Sequence, residues 1–387
     1  MSAGADDLRK VYVEPTNACN LNCTTCVRQS WDEPEGFMEW ETFETVVDGL
    51  VDAAGDGGGG AAEGPHAAGT VAFMGLGEPL LHPRFLDMVR RAKARGLRAE
   101  VTTNALLLND EMAGGLLRAG LDQLVVSIDG ASAEAFGRVR SGASLAKVVE
   151  SVRRLHDRRG PNYGPGMRIG IEFLAMRSNV GELPGLNRLA TQLGATFIIV
   201  SNVLAYTPEL QAETLYDQRV SASDGGETTA APRWQLPVFD WGEILGAALG
   251  RALERSGPVD FAAGSSSGGA NGVTGHCPFV EADACAVAWH GGVSPCPPLL
   301  HTYTCFVRGR KKQMTRWEVG GLPGESLAAI WAKPAYVAFR ERVRRFDFPP
   351  CTDCGCELAE GNEEDCFGNP HPVCGDCLWA RGIVRCA

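Results

Sequence analysis

Three cysteines near the start of the chain have the spacing of a metal-binding loop. Cys19, Cys23 and Cys26 form a Cys-x3-Cys-x2-Cys motif directly after a short β-rich run. Thiolates this close together can bind one metal ion or one iron-sulfur cluster. No apolar stretch resembling an export signal follows Met1, so we expect a cytoplasmic protein, in which thiols stay reduced and disulfides are rare. The motif therefore favours metal ligation.

The remaining cysteines form a second group near the C-terminus. Of the 14 cysteines, none lies between the first motif and Cys277, which argues against thiols scattered through a core as small apolar residues. Two four-iron clusters would use about eight of the later thiolates. A zinc ribbon is the alternative, because Cys351-x2-Cys354 and Cys374-x2-Cys377 could together bind one Zn²⁺.

Short β-rich runs alternate with segments whose apolar residues have helical spacing. This alternation predicts right-handed βαβ crossovers and an α/β fold with a parallel sheet. Chemistry in such sheets lies in the loops after the carboxyl ends of the strands, and the first motif has that position. The predicted strands are residues 11–14, 70–74, 98–102, 123–127, 168–173 and 197–201. The predicted helices include residues 83–95, 110–119 and 145–158.

Composition divides the chain into three regions. Residues 1–204 hold the strand and helix repeat, with a Gly- and Ala-rich insertion at about 56–69. Residues 205–275 are predicted to be a linker with one helix over about 240–255. Residues 276–387 hold the second cysteine group and show little periodicity. This last composition predicts a small domain that needs bound metal to hold its shape.

The charge and hydropathy of the chain exclude two classes of partner. A net charge of -11 argues against nucleic acid, whose binding needs clustered Lys and Arg. No apolar run approaches the roughly 20 residues needed to cross a bilayer. We therefore expect neither nucleic acid nor a membrane as a partner.

The first motif, in its setting of a strand and a β/α repeat, resembles the signature of the radical S-adenosylmethionine (radical SAM) superfamily. The resemblance implies a partial (β/α)6 TIM-type barrel over residues 1–204. It also implies that Cys19, Cys23 and Cys26 bind three irons of a four-iron four-sulfur (4Fe-4S) cluster, with S-adenosylmethionine on the fourth iron. Reductive cleavage of the sulfonium would release a 5'-deoxyadenosyl radical.

Further residues match that family's cofactor-binding positions, and all of them except Arg140 follow the end of a predicted strand. Residues 74–79, Met-Gly-Leu-Gly-Glu-Pro, resemble the family's Gly-Gly-Glu-Pro motif, with Leu76 in place of the first glycine. After the third strand, Ala105 replaces the usual glycine. Taken alone, such residues are also explained as turn or cap residues. The cofactor-binding residues that the resemblance implies are Gly77, Glu78, Pro79, Asn104, Ser127, Asp129 and Arg140.

The second cysteine group resembles the SPASM extension, which carries auxiliary clusters in many radical SAM enzymes, here over residues 276–387. The spacing departs from the family's Cys-x2-Cys-x5-Cys-x3-Cys pattern after Cys354. The resemblance implies one or two auxiliary 4Fe-4S clusters. The implied ligands are Cys277, Cys296, Cys351, Cys354, Cys366, Cys374, Cys377 and Cys386, which leaves Cys285, Cys305 and Cys356 unassigned.

Nearly the whole chain outside the Gly-rich insertions resembles the superfamily's maturases of tungsten-cofactor oxidoreductases. The resemblance rests on the first motif with its flanks and on residues 30–34 (Ser-Trp-Asp-Glu-Pro), 294–301 (Ser-Pro-Cys-Pro-Pro-Leu-Leu-His), 345–348 and 362–370. It implies a tungsten-containing aldehyde oxidoreductase as a partner, and ferredoxin or flavodoxin as the electron donor.

Two other functions are consistent with the same residues. SPASM-type enzymes also modify ribosomally made peptides, although the short segment before the first strand disfavours a leader-binding domain there. A zinc-stabilised, non-enzymatic interaction module would instead give a colourless protein with no response to S-adenosylmethionine. The sequence identifies no residue as a catalytic acid or base.

Overall fold

The structure, a computed structural model, describes residues 8–53, 69–159, 166–216, 260–261 and 275–386. The helix predicted over 240–255 and nearly all of the Gly- and Ala-rich insertion lie outside the described residues. The strands that are described form one sheet of ten strands and a separate sheet of two.

Six parallel strands form the barrel wall, and each pairs with the next one along the chain. All six lie within two residues of the predicted bounds, so the predicted α/β fold is confirmed. The strands are β1 (Lys10–Val13), β2 (Thr70–Phe73), β3 (Arg98–Thr103), β4 (Gln123–Ser127), β5 (Arg168–Ala175) and β6 (Phe197–Asn202). A short strand, β7 (Asp260–Phe261), pairs in parallel with β6.

The helices between these strands have local signals at their ends. At the start of the third helix the Asn109 side chain accepts a hydrogen bond from the Met112 amide at 2.8 Å, and Gly120 follows the last turn with a φ of 79°. This left-handed conformation favours glycine. The helices are α1 (Trp40–Ala53), α2 (Phe85–Ala94), α3 (Asp110–Ala119), α4 (Ala133–Val139), α5 (Leu145–Arg158) and α6 (Leu183–Leu193). Single 3-10 turns span Val27–Ser30, Pro79–Leu81, Val180–Glu182 and Glu209–Glu213.

The cysteine-rich segment continues the barrel sheet at its other edge. A strand β8 (Ala284–Val287) pairs in parallel with β1, and β9 (Gly292–Ser294) pairs antiparallel with β8. These two strands were not predicted, because Ala-Cys-Ala-Val and Gly-Val-Ser hold only one β-branched residue each. The predicted boundary at residue 276 is therefore not a boundary of the sheet.

The rest of this segment is built from small elements around a hairpin. The hairpin consists of β10 (Tyr303–Val307) and β11 (Arg310–Met314), and β12 (Gly320–Gly321) returns to pair with β9. The helices are α7 (Pro278–Glu281), α8 (Leu327–Trp331) and α9 (Pro334–Arg345), with 3-10 turns at Pro297–Leu299, Cys351–Asp353 and Glu357–Glu360.

Side chains alternate between the two faces of the barrel strands, as the period of a β-strand requires. Val71, Phe73 and Ile171 point to the helices and belong to the main apolar core. The alternate positions, which include Ser127 and Glu172, lie on the inner face of the sheet. Among the described residues, no helix is long and apolar enough to cross a membrane.

Candidate functional site

The loop of residues 14–26 follows the carboxyl end of β1 and is held from three sides. Hydrogen bonds join it to the loop after β2, to the loop after β3 and to α4. They run from Glu78 N to Ala18 O (2.8 Å), from Asn104 Nδ2 to Asn20 Oδ1 (2.8 Å) and from Thr24 N to Val139 O (3.0 Å). The loop therefore presents its cysteines at the edge of the sheet where chemistry is expected.

Cys19, Cys23 and Cys26 are free, half-buried thiols. Burial raises the pKa of all three, that of Cys23 to about 11, and Arg140 acts on each in the opposite direction. Three reduced thiols on one loop beside a guanidinium fit a 4Fe-4S cluster with one open iron, because the cation offsets part of the thiolate charge. Within the described ranges, no three His, Cys, Asp or Glu side chains are gathered as a single metal ion would require.

Gly77 lies where two loops approach so closely that a side chain would not fit. A Cβ atom on Gly77 would lie 2.3 Å from the Thr16 carbonyl oxygen and 2.4 Å from that of Ala18. Close backbone approach therefore requires glycine at this position. Pro79 starts the 3-10 turn that follows, which suits its fixed φ.

Glu78 lies deeper than a residue of a βα loop usually does, with 2% of its surface exposed. Its Oε1 accepts hydrogen bonds from Thr103 Oγ1 at 2.6 Å and from the Leu80 amide at 3.1 Å, and its Oε2 accepts one from the Asn104 amide at 2.8 Å. Burial raises the pKa of Glu78, and these hydrogen bonds oppose the shift. The carboxylate thus joins the loops after β2 and β3, which makes it a structural group as well as a candidate ligand.

Asn104 and Ala105 form the turn after β3. The Asn104 side-chain oxygen accepts a hydrogen bond from the Leu106 amide at 3.0 Å, while its amide group is bonded to the cysteine loop. Ala105 is fully buried and has a φ of 59°. A side chain in this left-handed region costs about 1–2 kcal/mol. This strain explains why glycine is usual at the corresponding position of the resembled family.

We expect Ala105→Gly to cost about 1 kcal/mol less than the same change at Ala113, which is also buried but lies within α3. Both substitutions lose a methyl group and add chain entropy to the unfolded state, whereas only the first relieves a left-handed conformation. Urea unfolding of the two variants measures the difference. Equal losses would show that Ala105 is not strained.

Asp129 and Arg140 form a buried ion pair after β4. Arg140 Nε donates to Asp129 Oδ2 at 2.8 Å, with 12% and 1% of the two side chains exposed. The other oxygen, Oδ1, accepts from the Leu174 amide at 2.9 Å. Arg140 also interacts electrostatically with Cys23. The pair therefore holds the Arg140 guanidinium beside the cysteine loop.

Glu172 of β5 is a carboxyl group that sequence reasoning missed. It is opposite Ser127 in the register of β4 and β5, and its carboxylate accepts a hydrogen bond from that side chain. Burial raises the pKa of Glu172 to about 7, helped by Asp129 and opposed by Arg140 and Ser127. A half-buried carboxyl group with such a pKa can exchange a proton near neutral pH. The feature of the sequence that could have identified Glu172 is a charged residue within the otherwise apolar run of the strand Arg-Ile-Gly-Ile-Glu-Phe-Leu-Ala.

A buried histidine links the cysteine-rich segment to the barrel. His301 Nε2 lies 2.9 Å from Glu14 Oε2, and His301 Nδ1 lies 2.5 Å from Glu33 Oε2. Glu14 also accepts a hydrogen bond from the Leu76 amide at 3.2 Å. The ring of Trp31 packs on the imidazole at a centroid distance of 4.5 Å. Hydrogen bonds to the two carboxylates raise the pKa of His301, against the effect of its burial.

Four cysteines line one cavity of the C-terminal segment. They are Cys296, Cys305, Cys374 and Cys377, around an empty volume of about 490 Å³ that includes open solvent. Cys277 interacts electrostatically with Cys296, Cys374 and Cys377. This group of thiols around a cavity fits an auxiliary iron-sulfur cluster.

A second set of cysteines lies in and after the two 3-10 turns that follow α9. Cys351 interacts electrostatically with Cys356 and Cys366, and Cys354 is hydrogen bonded to Cys356. Cys356, which sequence reasoning left unassigned, thus belongs to this set.

The remaining cysteines differ in their surroundings. Cys285 is buried in the main core on the helix-facing side of β8, where burial raises its pKa to about 12 and Arg340 opposes the shift. Cys386 Sγ accepts a hydrogen bond from Trp379 Nε1 at 3.1 Å and interacts electrostatically with Cys377. Cys386 therefore lies near the cavity group, and Cys285 belongs to the core.

Comparisons with known proteins agree with this geometry. The family model of the radical SAM superfamily matches residues 13–172, and that of SPASM, an iron-sulfur cluster-binding domain, matches residues 277–355. The chain is 30% identical over 387 residues to the tungsten-containing aldehyde ferredoxin oxidoreductase cofactor-modifying protein of Pyrococcus furiosus, covering 98% of this chain and 97% of that protein. It is 27% identical over 186 residues to the mycofactocin maturase MftC of Mycobacterium ulcerans, covering 48% and 45%.

Solved structures share the fold at low sequence identity. Streptococcus suis SuiB bound to its precursor peptide SuiA has a TM-score of 0.58 and 14% identity, covering 94% of this chain and 72% of that one. The anSMEcpe protein with bound AdoMet and the Kp18Cys peptide has a TM-score of 0.57 and 16% identity, covering 97% and 95%.

A partial barrel with a three-cysteine loop and a cysteine-rich extension defines an iron-sulfur enzyme. The chain belongs to the radical SAM superfamily and carries a SPASM iron-sulfur cluster-binding domain. Its cofactors are a 4Fe-4S cluster, S-adenosylmethionine and the auxiliary iron-sulfur sites of the SPASM domain. The cluster, when bound and reduced, supplies the electron that cleaves S-adenosylmethionine to the 5'-deoxyadenosyl radical.

Proposed function

We propose that this enzyme matures the tungsten cofactor of an aldehyde oxidoreductase. The observation that carries the proposal is the similarity over nearly the full length of both chains to the Pyrococcus protein, which is named for modifying such a cofactor. Two of the segments on which the resemblance rests, residues 30–34 and 294–301, are distant in sequence, and Glu33 and His301 bring them into contact. The contact places the two segments side by side in this chain.

The candidate cofactor-binding residues have two roles in this proposal. Glu78, Asn104 and Asp129 use their polar side-chain atoms mainly within the protein, so we assign them to shaping the pocket for S-adenosylmethionine. Arg140 is held with its guanidinium toward the cysteine loop, and we assign it to the carboxylate of the cofactor. Ser127, Gly77 and Pro79 complete the set of contacts at the strand ends.

We assign the C-terminal thiols to two auxiliary clusters. One is held by Cys277, Cys296, Cys374 and Cys377, and the other by Cys351, Cys354, Cys356 and Cys366. This assignment adds Cys356 to the predicted ligands and makes Cys386 a neighbour of the first cluster. We further propose that ferredoxin or flavodoxin supplies electrons to the enzyme in the cytoplasm.

The proposal is tested by producing a tungsten-containing aldehyde ferredoxin oxidoreductase anaerobically, with tungstate, in a host that lacks any such maturase. We expect the oxidoreductase to gain aldehyde-oxidising activity, and its extracted cofactor to change in mass, only when this protein is produced with it. The matched control is the Cys19, Cys23 and Cys26 to Ala variant. An identical cofactor and activity in all three preparations would contradict the proposed function.

Modification of a ribosomally made peptide is the second candidate, because a relative that matches 48% of this chain is named a mycofactocin maturase. A small peptide gene beside this one would supply the substrate for a direct assay. A change in peptide mass that depends on S-adenosylmethionine and on the intact cysteine loop would favour this function over tungsten-cofactor maturation.

A further inference from the structure

A buried network of charged residues lies between the two sets of C-terminal cysteines. Asp376 lies between Cys374 and Cys377 in the chain. Its carboxylate forms ion pairs with both Arg310 and Lys312 of β11. The distances are 2.8 Å from Arg310 Nη2 to Asp376 Oδ2 and 2.5 Å from Lys312 Nζ to Asp376 Oδ1.

The three side chains are almost removed from solvent. Side-chain exposure is 10% for Arg310 and 4% for both Lys312 and Asp376. A lysine is rarely buried to this extent unless it is paired. Because the network holds two cations and one anion, it places a net positive charge inside the domain, where the low dielectric lets the charge act strongly on its neighbours.

The network contacts the segments that carry both sets of cysteines. Lys312 and Asp376 line the cavity together with Cys374 and Cys377. On the other side, Arg310 donates through its guanidinium to the carbonyl oxygens of Cys351, at 3.4 Å, and of Cys354. Strand β11 of the hairpin thus contacts both the turn that carries Cys351 and Cys354 and the segment that carries Cys374 and Cys377.

Electrostatic effects on the thiols extend to both sides as well. Asp376 and Lys312 act electrostatically, with opposite sign, on both Cys351 and Cys377. One pair of charged residues therefore acts on members of both sets. The reduction potential of an iron-sulfur cluster depends on nearby charge and on hydrogen bonds to its ligand segments.

We infer that the Arg310, Asp376 and Lys312 network sets the reduction potential of the auxiliary cluster held by Cys374 and Cys377 and fixes its position relative to the second one. The inference rests on the proposed auxiliary clusters. A reduced cluster carries one more negative charge than an oxidised one, so the buried cations favour reduction and the buried anion opposes it. The charged residues of the hairpin are thus positioning and tuning residues for one-electron transfer.

The test uses the full chain with Cys19, Cys23 and Cys26 changed to Ala, so that only the auxiliary clusters give an electron paramagnetic resonance signal. In redox titrations of this protein, Lys312→Met is expected to lower the midpoint potential and Asp376→Asn to raise it. We expect each shift to change the ratio of reduced to oxidised cluster about tenfold at a fixed potential, which is about 59 mV for one electron.

Opposite shifts distinguish tuning by charge from damage to the fold, which has no reason to depend on the sign of the charge removed. Lys311→Met is the matched control, because Lys311 is the neighbouring residue of β11 with an exposed side chain, and no shift is expected. Lys312→Arg, which keeps the positive charge, should leave the midpoint potential at the value of the parent protein. Shifts of the same sign, or no shift with full iron content, would overturn the inference alone. A parent variant without iron would overturn the auxiliary clusters and the inference together.

Discussion

Changing Cys19, Cys23 and Cys26 together to Ala is expected to reduce cleavage of S-adenosylmethionine to background. Anaerobically reconstituted wild-type protein should be brown and should release 5'-deoxyadenosine under a strong reductant. The variant lacks the only thiols on the loop after β1, which is held by hydrogen bonds to the loops after β2 and β3. Without three thiolates no cluster with an open iron forms at the strand ends.

Iron and sulfide remaining in the triple variant report on the other cysteines. The pairings of the C-terminal thiols predict that the variant keeps two clusters, with about eight thiolates engaged. Zinc in place of iron and sulfide would instead establish the ribbon alternative.

The matched control for this experiment is Cys285→Ala. Cys285 is fully buried in the helix-facing core, so its loss should leave both the cleavage rate and the iron content unchanged. Cleavage by the triple variant at the wild-type rate would mean that the cofactor is bound elsewhere. Loss of cleavage in the Cys285 variant would mean that general instability explains the result.

The barrel and its first motif were predictable because their signals are local. Each strand from β1 to β6 is a short β-rich run flanked by helical spacing, and the three cysteines lie within eight residues of one another. The added strands β8, β9 and β12 were not predictable, since their pairing partners lie far away in sequence or are equally short. A run such as Ala284–Val287 becomes a recognisable strand only when β1 is beside it.

Roles within the site depend on contacts that sequence does not contain. Glu78 could be recognised from its motif, but the three hydrogen bonds that make it structural come from two different loops. Glu172 is a single charged residue in an apolar strand. Only the register of β4 and β5 shows that it lies opposite Ser127 on the inner face of the sheet. Cys356 joins its set through a turn that the family spacing does not describe.

The contact between His301 and its two carboxylates joins residues that lie far apart in the sequence. His301 is separated from Glu14 by 287 residues and from Glu33 by 268, so no periodicity could reveal it. Glu14 also accepts a hydrogen bond from the Leu76 amide. The histidine therefore connects the SPASM segment, through Glu14, to the loop that carries Gly77 and Glu78. Removal of the His301 side chain should therefore destabilise the fold by more than the loss of a single hydrogen bond would.

We expect His301→Ala to lower the free energy of unfolding by about 3–5 kcal/mol, the usual cost of leaving a buried charge without its partner. His301 and Glu14 have no exposed side-chain surface. The matched control is His276→Ala, because His276 also pairs with a glutamate, Glu281, but both side chains are about half exposed. Such surface pairs contribute about 1 kcal/mol or less. Anaerobic urea unfolding of the reconstituted proteins measures both losses.

The pH dependence of the His301 effect follows from the direction of its pKa shift. The pKa of His301 is raised above its ordinary value of 6.5 by hydrogen bonds to Glu14 and Glu33, which outweigh the opposing effect of burial. A raised pKa in the folded state means that the stabilisation is fully present below pH 6.5 and is lost as the pH rises through the folded-state pKa. The difference between wild type and His301→Ala should thus be larger at pH 6 than at pH 9. A difference that is independent of pH would show that His301 stabilises the fold through packing alone and not as an imidazolium between two carboxylates.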